Sequence, residues 1–366
     1  MQTGEFMTNL SVDPGSLKKQ EMIFASSNKI IRYAGNPIFT AEKVPFPCHL
    51  AFNAGVEKFN GRYYMAYRYD TYKNNDRNQG LYDIGTGLAE SEDGINWISH
   101  ENPVNFYYRG KKITAVNDAR FTVLENKLYM SCCFNTLYGE RPALFEWKGG
   151  DDFEAVSIGV PNQRNMVLCP DKINGKYWRM ERPISFEPTY AIWASYSPDL
   201  RYWGESELLL GVEDVPYATR KIGAAAPPLK TSAGYILFFH AVYKDPETLV
   251  IYPDGAKWDL RYTCGAALLD LNDPFKVTAI TRKPLLVAEK NYETGDTVRF
   301  WRENVVFPCG AILENDNIKL YYGAGDYCVC LAEITLPDLL SEMTPYSRLN
   351  KTATVTFVDR WQGKCK

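Results

Sequence analysis

The chain first shows the unit that decides its fold at Gly61-Arg62-Tyr63-Tyr64-Met65-Ala66-Tyr67-Arg68, a turn glycine followed by a strand rich in aromatic residues. Aromatic side chains favour extended backbone, and glycine or asparagine is typical of the turn before it. The same unit returns further along the chain, at Asn126–Ser131, Asn174–Met180, Gly234–His240 and Asn317–Tyr322. Five copies of one strand unit indicate a repeat architecture.

A shorter apolar strand follows each copy, at Ile84–Ser91, Ala143–Trp147, Ala191–Ser195, Gly265–Asp270 and Val329–Ile334. Several of these strands run into turns rich in Ser, Asx, Pro and Gly. Helical periodicity is nearly absent, and a β-sandwich would not repeat one two-strand unit five times. We therefore predict an all-β fold, a five-bladed β-propeller over 31–345, with an N-terminal extension over 1–30 and a C-terminal extension over 346–366.

Composition narrows the function classes. The 366 residues are 45% hydrophobic and 23% charged, with a net charge of -3 and no basic block, which argues against a nucleic-acid partner. No apolar run reaches the ~20 residues of a membrane span, and the first 30 residues lack the apolar region of a signal peptide, so we expect a cytoplasmic protein and no membrane partner. The nine cysteines show no zinc or disulfide spacing, which predicts reduced thiols and no metal.

Polar residues recur where the predicted blades approach the axis. Because the first strand of each blade lines the central channel of a propeller, we expect these side chains to converge on one axial pocket. Each blade supplies at least one of them: Asn53, Arg68 and Asp70, then Asp118 and Arg120, then Arg164, Asn165, Glu181 and Arg182, then Lys221 and His240, then Arg302, Asn304 and Asp326.

This set holds few carboxylates and many cations. An inverting glycoside hydrolase needs two carboxylates, an acid and a base that activates water. An enzyme that uses phosphate as the nucleophile needs only the acid, together with cations that bind the dianion. The surplus of Arg164, Arg182, Lys221 and His240 favours an anion site. Taken singly, each would more often be a surface ion pair, a turn cap or a buried structural residue.

Several ordered motifs then resemble a known family. They are Phe52-Asn53-Ala54-Gly55-Val56, Asn165-Met166-Val167-Leu168, Glu181-Arg182-Pro183, Lys221-Ile222-Gly223, Asn304-Val305-Val306-Phe307-Pro308 and Tyr321-Tyr322-Gly323-Ala324-Gly325-Asp326. Together they are similar to glycoside hydrolase family 130, the β-mannoside phosphorylases and related mannosidases. Ser197–Gly204 and Gly211–Pro216 most resemble the 4-O-β-D-mannosyl-D-glucose phosphorylase branch. That branch forms α-D-mannose 1-phosphate and D-glucose.

The resemblance implies a role for each site residue. The family's acid lies in a Glu-Asp-Pro-Arg motif, which reads Asn117-Asp118-Ala119-Arg120 here, so Asp118 is the implied proton donor. Phosphate binding is implied for Arg164, Asn165, Arg182, Lys221 and His240, and substrate binding for Asn53, Arg68, Asp70, Arg120 and Asp326. Phosphate is then a co-substrate, and no further cofactor is expected.

Two alternative functions stay open at this point. A β-mannosidase on the same scaffold would use a glutamate such as Glu181 or Glu303 to activate water. A non-catalytic mannoside-binding propeller would bind without turnover. The acceptor sugar is also open, with Tyr107, Tyr108 and Tyr138 as candidate stacking platforms, and a homo-oligomer is neither predicted nor excluded.

Overall fold

A computed structural model describes residues 25–76, 79–184, 190–246, 249–252, 255, 257–295 and 302–346. Most of the two predicted extensions, residues 1–24 and 347–366, lies outside the described residues. Within these ranges, five sheets are arranged as the blades of a propeller, which confirms the predicted fold class. None of the described helices is long and apolar enough to cross a membrane.

The first three blades follow one another in chain order after a short first strand, β1 (Ile31–Arg32). Blade 1 contains β2 (Leu50–Phe59), β3 (Arg62–Tyr72), β4 (Leu81–Ser91) and β5 (Ile98–Ser99). Blade 2 contains β6 (Asn105–Tyr108), β7 (Lys111–Ile113), β8 (Val116–Leu124), β9 (Lys127–Thr136), β10 (Gly139–Gly149) and β11 (Asp152–Ile158). Blade 3 contains β12 (Gln163–Leu168), β13 (Tyr177–Pro183), β14 (Ile192–Ser197) and β15 (Gly204–Leu210).

The last two blades carry the insertions. Blade 4 contains β16 (Lys221–Ala224), β17 (Leu229–Lys230), β18 (Tyr235–Lys244), β21 (Leu260–Leu269) and β22 (Val277–Thr281), and between β18 and β21 lies a small hairpin of β19 (Val250–Ile251) and β20 (Lys257–Trp258). Blade 5 contains β23 (Val306–Glu314), β24 (Asn317–Ala324) and β25 (Cys328–Thr335). The short helices are α1 (Asn291–Thr294) and α2 (Leu336–Ser341), and β26 (Met343–Pro345) pairs with β22.

The two ends of the described chain close the ring. Strand β1 pairs antiparallel with β25, so an N-terminal segment completes blade 5. Arg32 reinforces this pairing, because its Nε donates to Oε1 of the fully buried Glu293 over 2.7 Å. The hydroxyl of Tyr322 donates to the same carboxylate over 2.8 Å. This closure joins the first and last parts of the described chain in one blade, and the sheet edges that remain are short and protected.

The aromatic strands that revealed the repeat are not the axial ones. They correspond to β3, β9, β13, β18 and β24, each of which is the second strand of its blade. The strands nearest the axis precede them and are β2, β8, β12, β16 and β23. The aromatic residues of the second strands instead fill the space between blades, as Tyr67 does against Phe39 at 4.7 Å between ring centroids.

The hydrophobic core is divided into clusters between neighbouring blades. Phe121 and Met130 of blade 2 pack with Ala66 of blade 1, and Trp178 of blade 3 packs with Phe239 of blade 4. Similar clusters join the other neighbouring blades. Because no blade buries its faces alone, the five blades stabilise one another. The polar residues at the axial ends of the inner strands lie outside these clusters and are available to form a site.

Candidate active site

One cavity of about 230 Å³ lies where the inner strands begin, and all five blades contribute to its wall. Of the fourteen polar residues that the sequence places at the axis, ten line the cavity, and Asp70, Arg120, Glu181 and Asn304 do not. The predicted convergence on an axial pocket therefore agrees with the structure. The complete lining is Asn53, Arg68, Asp118, Arg164, Asn165, Arg182, Lys221, His240, Trp258, Tyr262, Arg302, Val305, Phe307 and Asp326.

Three of these residues reach the cavity through the same local backbone feature. Asn53, Asp118 and Asn165 lie in β2, β8 and β12, each at a break in the register with the second strand. Their φ angles are 49°, 55° and 53°, in the left-handed region that asparagine and aspartate tolerate better than most residues. A β-bulge re-aims the side chain next to it. The repeated bulge therefore turns one polar side chain towards the axis in each of blades 1, 2 and 3.

Asp118 lies among positive charges. It is 5% exposed, its Oδ2 accepts from Arg164 Nη2 over 2.5 Å, and Asn53 Nδ2 donates to Oδ1 over 3.4 Å. Burial raises the pKa of this carboxyl, but the charges of Arg164, Arg68 and Arg120 outweigh burial and hold its pKa well below the usual range. The carboxyl is therefore ionised in this arrangement.

A group of cationic and neutral donors faces Asp118 from blades 3 and 4, and we call it the basic arc: Arg164, Asn165, Arg182, Lys221 and His240. Several buried nitrogens of the arc have no hydrogen-bond partner within the described residues, namely Arg164 Nε, Arg182 Nε, Asn165 Nδ2 and both ring nitrogens of His240. Unpaired buried donors are costly unless a ligand meets them. Their concentration suits an oxyanion with several acceptor oxygens.

The electrostatics of the arc support this interpretation. Burial, followed by the charge of Arg164, lowers the pKa of Arg182 to about 10. Burial and the charges of Arg182 and Lys221 hold the pKa of His240 well below its ordinary value, so its imidazole is neutral. A bound anion would relieve this repulsion.

Gly223 is required beside His240. The two residues are cross-strand partners in β16 and β18, and a Cβ on Gly223 would lie 2.4 Å from Cε1 of the imidazole. The other side of the ring packs on Phe307 at 4.6 Å between centroids. The imidazole is therefore clamped in one position, and the Lys221-Ile222-Gly223 motif has a packing explanation.

The opposite wall of the cavity holds Arg68 and Asp326. Arg68 is fixed from behind by Asp70, with Nε to Oδ1 at 2.7 Å and Nη2 to Oδ2 at 2.8 Å. Burial raises the pKa of Asp326 to about 6; Arg68 and Arg302 lower it, whereas Asp118 and Asp70 raise it. Asp118 and Asp326 therefore share one cavity with pKa values shifted in opposite directions.

Asp70 and Arg120 lie behind the cavity wall, and both are fully buried. Asp70 positions Arg68, as described above. The guanidinium of Arg120 donates to the backbone carbonyls of Ala225, Asp118 and Ala119, the last two over 2.8 and 3.0 Å. Direct sugar contacts were expected of both residues from the sequence. The structure gives them supporting positions instead.

Aromatic residues that the sequence interpretation missed complete the cavity. Trp258, from the inserted hairpin, lies parallel to Tyr262 with ring centroids 5.8 Å apart, and its Nε1 donates to the carbonyl of Glu303 over 2.7 Å. The predicted platforms Tyr107, Tyr108 and Tyr138 do not line the cavity. The first two belong to β6, away from the axial strand of blade 2. The sequence does contain one indication of this hairpin, because the hairpin lies in the long interval between the fourth and fifth repeat units.

The geometry defines a five-bladed propeller with an axial pocket that has an acidic side, a basic arc and aromatic rings. The family model of glycoside hydrolase family 130, described as beta-1,4-mannooligosaccharide phosphorylase, matches residues 26–344. The chain belongs to this family, and it is an enzyme of the phosphorylase type.

Individual relatives agree with this assignment. A beta-1,4-mannooligosaccharide phosphorylase of Ruminococcus albus is 30% identical over 87% of this chain and 92% of its own length. A 4-O-beta-D-mannosyl-D-glucose phosphorylase of Bacteroides fragilis is 24% identical over 93% and 92%. The solved structure of beta-1,2-mannobiose phosphorylase from Listeria innocua superposes with a TM-score of 0.70 at 26% identity, covering 86% of this chain and 98% of that one.

Proposed function

We propose that this enzyme cleaves a β-mannoside by inverting phosphorolysis and releases α-D-mannose 1-phosphate. The observation that carries the proposal is the basic arc, whose unpaired buried donors face Asp118 across one cavity. An arc of this kind can hold a phosphate dianion as the nucleophile, which removes the need for a second carboxylate to activate water. We also propose a cytoplasmic location and no cofactor beyond phosphate as co-substrate.

The residues divide into three roles. Asn53, Arg68 and Asp326 hold the mannosyl unit, and the basic arc holds phosphate on the face opposite the leaving sugar. A phosphate oxygen bonds to the anomeric carbon as the glycosidic bond breaks, so the β-linkage becomes an α-phosphate ester. The proton that the departing oxygen needs comes from Asp118, directly or through a sugar hydroxyl. Binding both reactants in one cavity lowers the entropic cost of this step.

The proposed substrate is 4-O-β-D-mannosyl-D-glucose. One of the two motifs behind this choice, Ser197–Gly204, lies in the turn between β14 and β15. Ser197 pairs with Tyr177, at the end of β13 far from Arg182. The turn is therefore remote from the cavity, and none of its residues belongs to the cavity lining. The Ruminococcus relative favours β-1,4-mannooligosaccharides as the second candidate substrate.

The hydrolase alternative has weaker support. Glu181, one candidate base, is 5% exposed and bound to Arg179 Nη2 over 2.8 Å, and it does not line the cavity. Glu303 is also absent from the lining. Asp326 lines the cavity as a second carboxylate, and we assign it to the mannosyl unit because it shares the cavity with Arg68 and Arg302, whose charges act on it.

The test is incubation of the purified enzyme with mannosylglucose or β-1,4-mannobiose, each with and without phosphate. Phosphate-dependent formation of mannose 1-phosphate is expected, with the preferred disaccharide identifying the acceptor. Comparable release of free mannose without phosphate would refute phosphorolysis. Binding of both disaccharides without any turnover would favour the non-catalytic alternative.

A further inference from the structure

Arg164 belongs both to the basic arc and to the surroundings of the proton donor. Its Nη2 contacts Asp118 Oδ2 over 2.5 Å, and its Nη1 lies 3.6 Å from Glu140 Oε1. Its Nε is buried and has no hydrogen-bond partner within the described part of the chain. One guanidinium therefore bridges the acid and the space where we place phosphate.

This contact conflicts with the role of Asp118. A carboxylate that accepts a short, charge-assisted hydrogen bond from a guanidinium is held in its ionised form. A general acid must carry a proton when the leaving oxygen departs. Something in the catalytic cycle must therefore weaken the hold of Arg164 on Asp118.

Other charges around Asp118 do not remove the conflict. Positive groups outnumber negative ones around it, and the thiols nearby are protonated because burial raises their pKa. The titratable groups that interact with Asp118 are Arg68, Asp70, Arg120, Cys132, Cys133, Arg164, Arg182, Cys309 and Asp326. A mannoside carries no charge and leaves the excess of positive charge around Asp118 unchanged, whereas an oxyanion bound in the basic arc reduces it.

We propose that Arg164 couples the two reactants: phosphate binding draws Arg164 away from Asp118, and Asp118 then takes up from solvent the proton that it later passes to the leaving sugar. This inference rests on the proposed function. It makes Arg164 a positioning residue for the acid as well as a phosphate ligand. It also explains selectivity against hydrolysis, because without phosphate Asp118 stays ionised and the leaving group receives no proton.

Proton linkage measured by calorimetry tests the coupling without turnover. Sulfate serves as the probe, because it does not titrate near neutral pH and so contributes no protons of its own. Titration of the enzyme with sulfate in buffers of different ionisation enthalpy gives the number of protons taken up. We expect uptake that increases towards about one proton per site as the pH is lowered from about 8 to about 5.

Three variants identify where the proton goes and what controls its uptake. Asp118→Asn keeps the shape of the side chain but cannot titrate, so uptake should disappear while sulfate still binds. His240→Asn removes the neutral imidazole of the arc, which is the other group that could take up a proton there, and should keep the uptake. Arg164→Gln releases Asp118 from its partner, and sulfate should then bind more weakly and with less than about half of the wild-type uptake.

Each other outcome overturns the coupling. Sulfate binding without proton uptake, or uptake that persists in Asp118→Asn, would show that the anion and the acid are independent, and phosphate-dependent turnover would still support the proposed function. Loss of the uptake in His240→Asn would assign the proton to the imidazole. Failure of both sulfate and phosphate to bind would remove the anion site and the proposed function with it.

Discussion

The Asp70→Asn variant tests whether Asp70 contacts the sugar itself or acts only by positioning Arg68. Asp70 is fully buried and grips Arg68 through two hydrogen bonds of 2.7 and 2.8 Å, whereas only Arg68 reaches the cavity. The asparagine keeps one acceptor but removes the charge. Since breaking a buried ion pair costs about 3–5 kcal/mol, we expect the partly retained pair to cost about 2–3 kcal/mol of unfolding free energy.

The catalytic effect follows from the lost constraint on Arg68. Holding a long side chain in one rotamer is worth about 0.5–1.5 kcal/mol, so the KM for the mannoside should rise about 2- to 13-fold. Urea unfolding and initial-rate kinetics measure the two effects. In an Arg68→Met background, Asp70→Asn should change KM less than about twofold, because the residue it positions is gone.

Blade 3 offers a matched control. Arg179 and Glu181 form a buried ion pair on β13 that does not line the cavity. Glu181→Gln should lower stability by a similar amount and leave KM unchanged, and full activity in this variant would also count against Glu181 as a hydrolytic base. If Asp70→Asn raised KM equally with and without Arg68, Asp70 would contact the sugar itself and the reasoning would be wrong.

Three further changes probe the site. Asp118→Asn should reduce disaccharide phosphorolysis by about 100- to 10,000-fold. It should leave the phosphorolysis of dinitrophenyl β-mannoside within about tenfold of wild type, because that leaving group needs no proton. Equal losses with both substrates would argue against an acid role. Gly223→Ala places a methyl group 2.4 Å from the His240 imidazole, so the KM for phosphate should rise about tenfold or more, and an unchanged value would separate His240 from phosphate binding. Because the pKa of Asp326 is raised to about 6, its carboxylate becomes protonated as the pH falls through that value, and the KM for the mannoside should rise there. Asp326→Asn should show a high KM at every pH, without an inflection near pH 6.

The fold was predictable because the aromatic second strands are repeated and regular. The axial strands were harder to find, since Asn53, Asp118 and Asn165 sit in bulges that interrupt the alternation of side chains. Their spacing from the repeat does indicate them, because Asn53 and Asp118 each lie eight residues before the next repeat turn, at Gly61 and Asn126. Read this way, the repeat would have placed the polar residues on the inner strands.

The site was predictable as a collection of residues but not as a geometry. Arg68 and Asp70 are two residues apart on β3 and therefore share one face of the sheet, so the alternation of side chains does not show that Arg68 reaches the cavity while Asp70 lies behind it. Trp258 was missed because it belongs to an insertion outside the repeat. Its place beside Tyr262 depends on how the hairpin folds back, which no repeat pattern encodes.

The most direct test of phosphorolysis is the fate of the mannosyl group in the presence of phosphate, followed by phosphorus and proton NMR. We predict that α-D-mannose 1-phosphate appears as the first product in equimolar amount with the released sugar, and that the reaction stops when phosphate is omitted. Release of free mannose at the same rate without phosphate, or formation of the β-anomer of the phosphate, would contradict it.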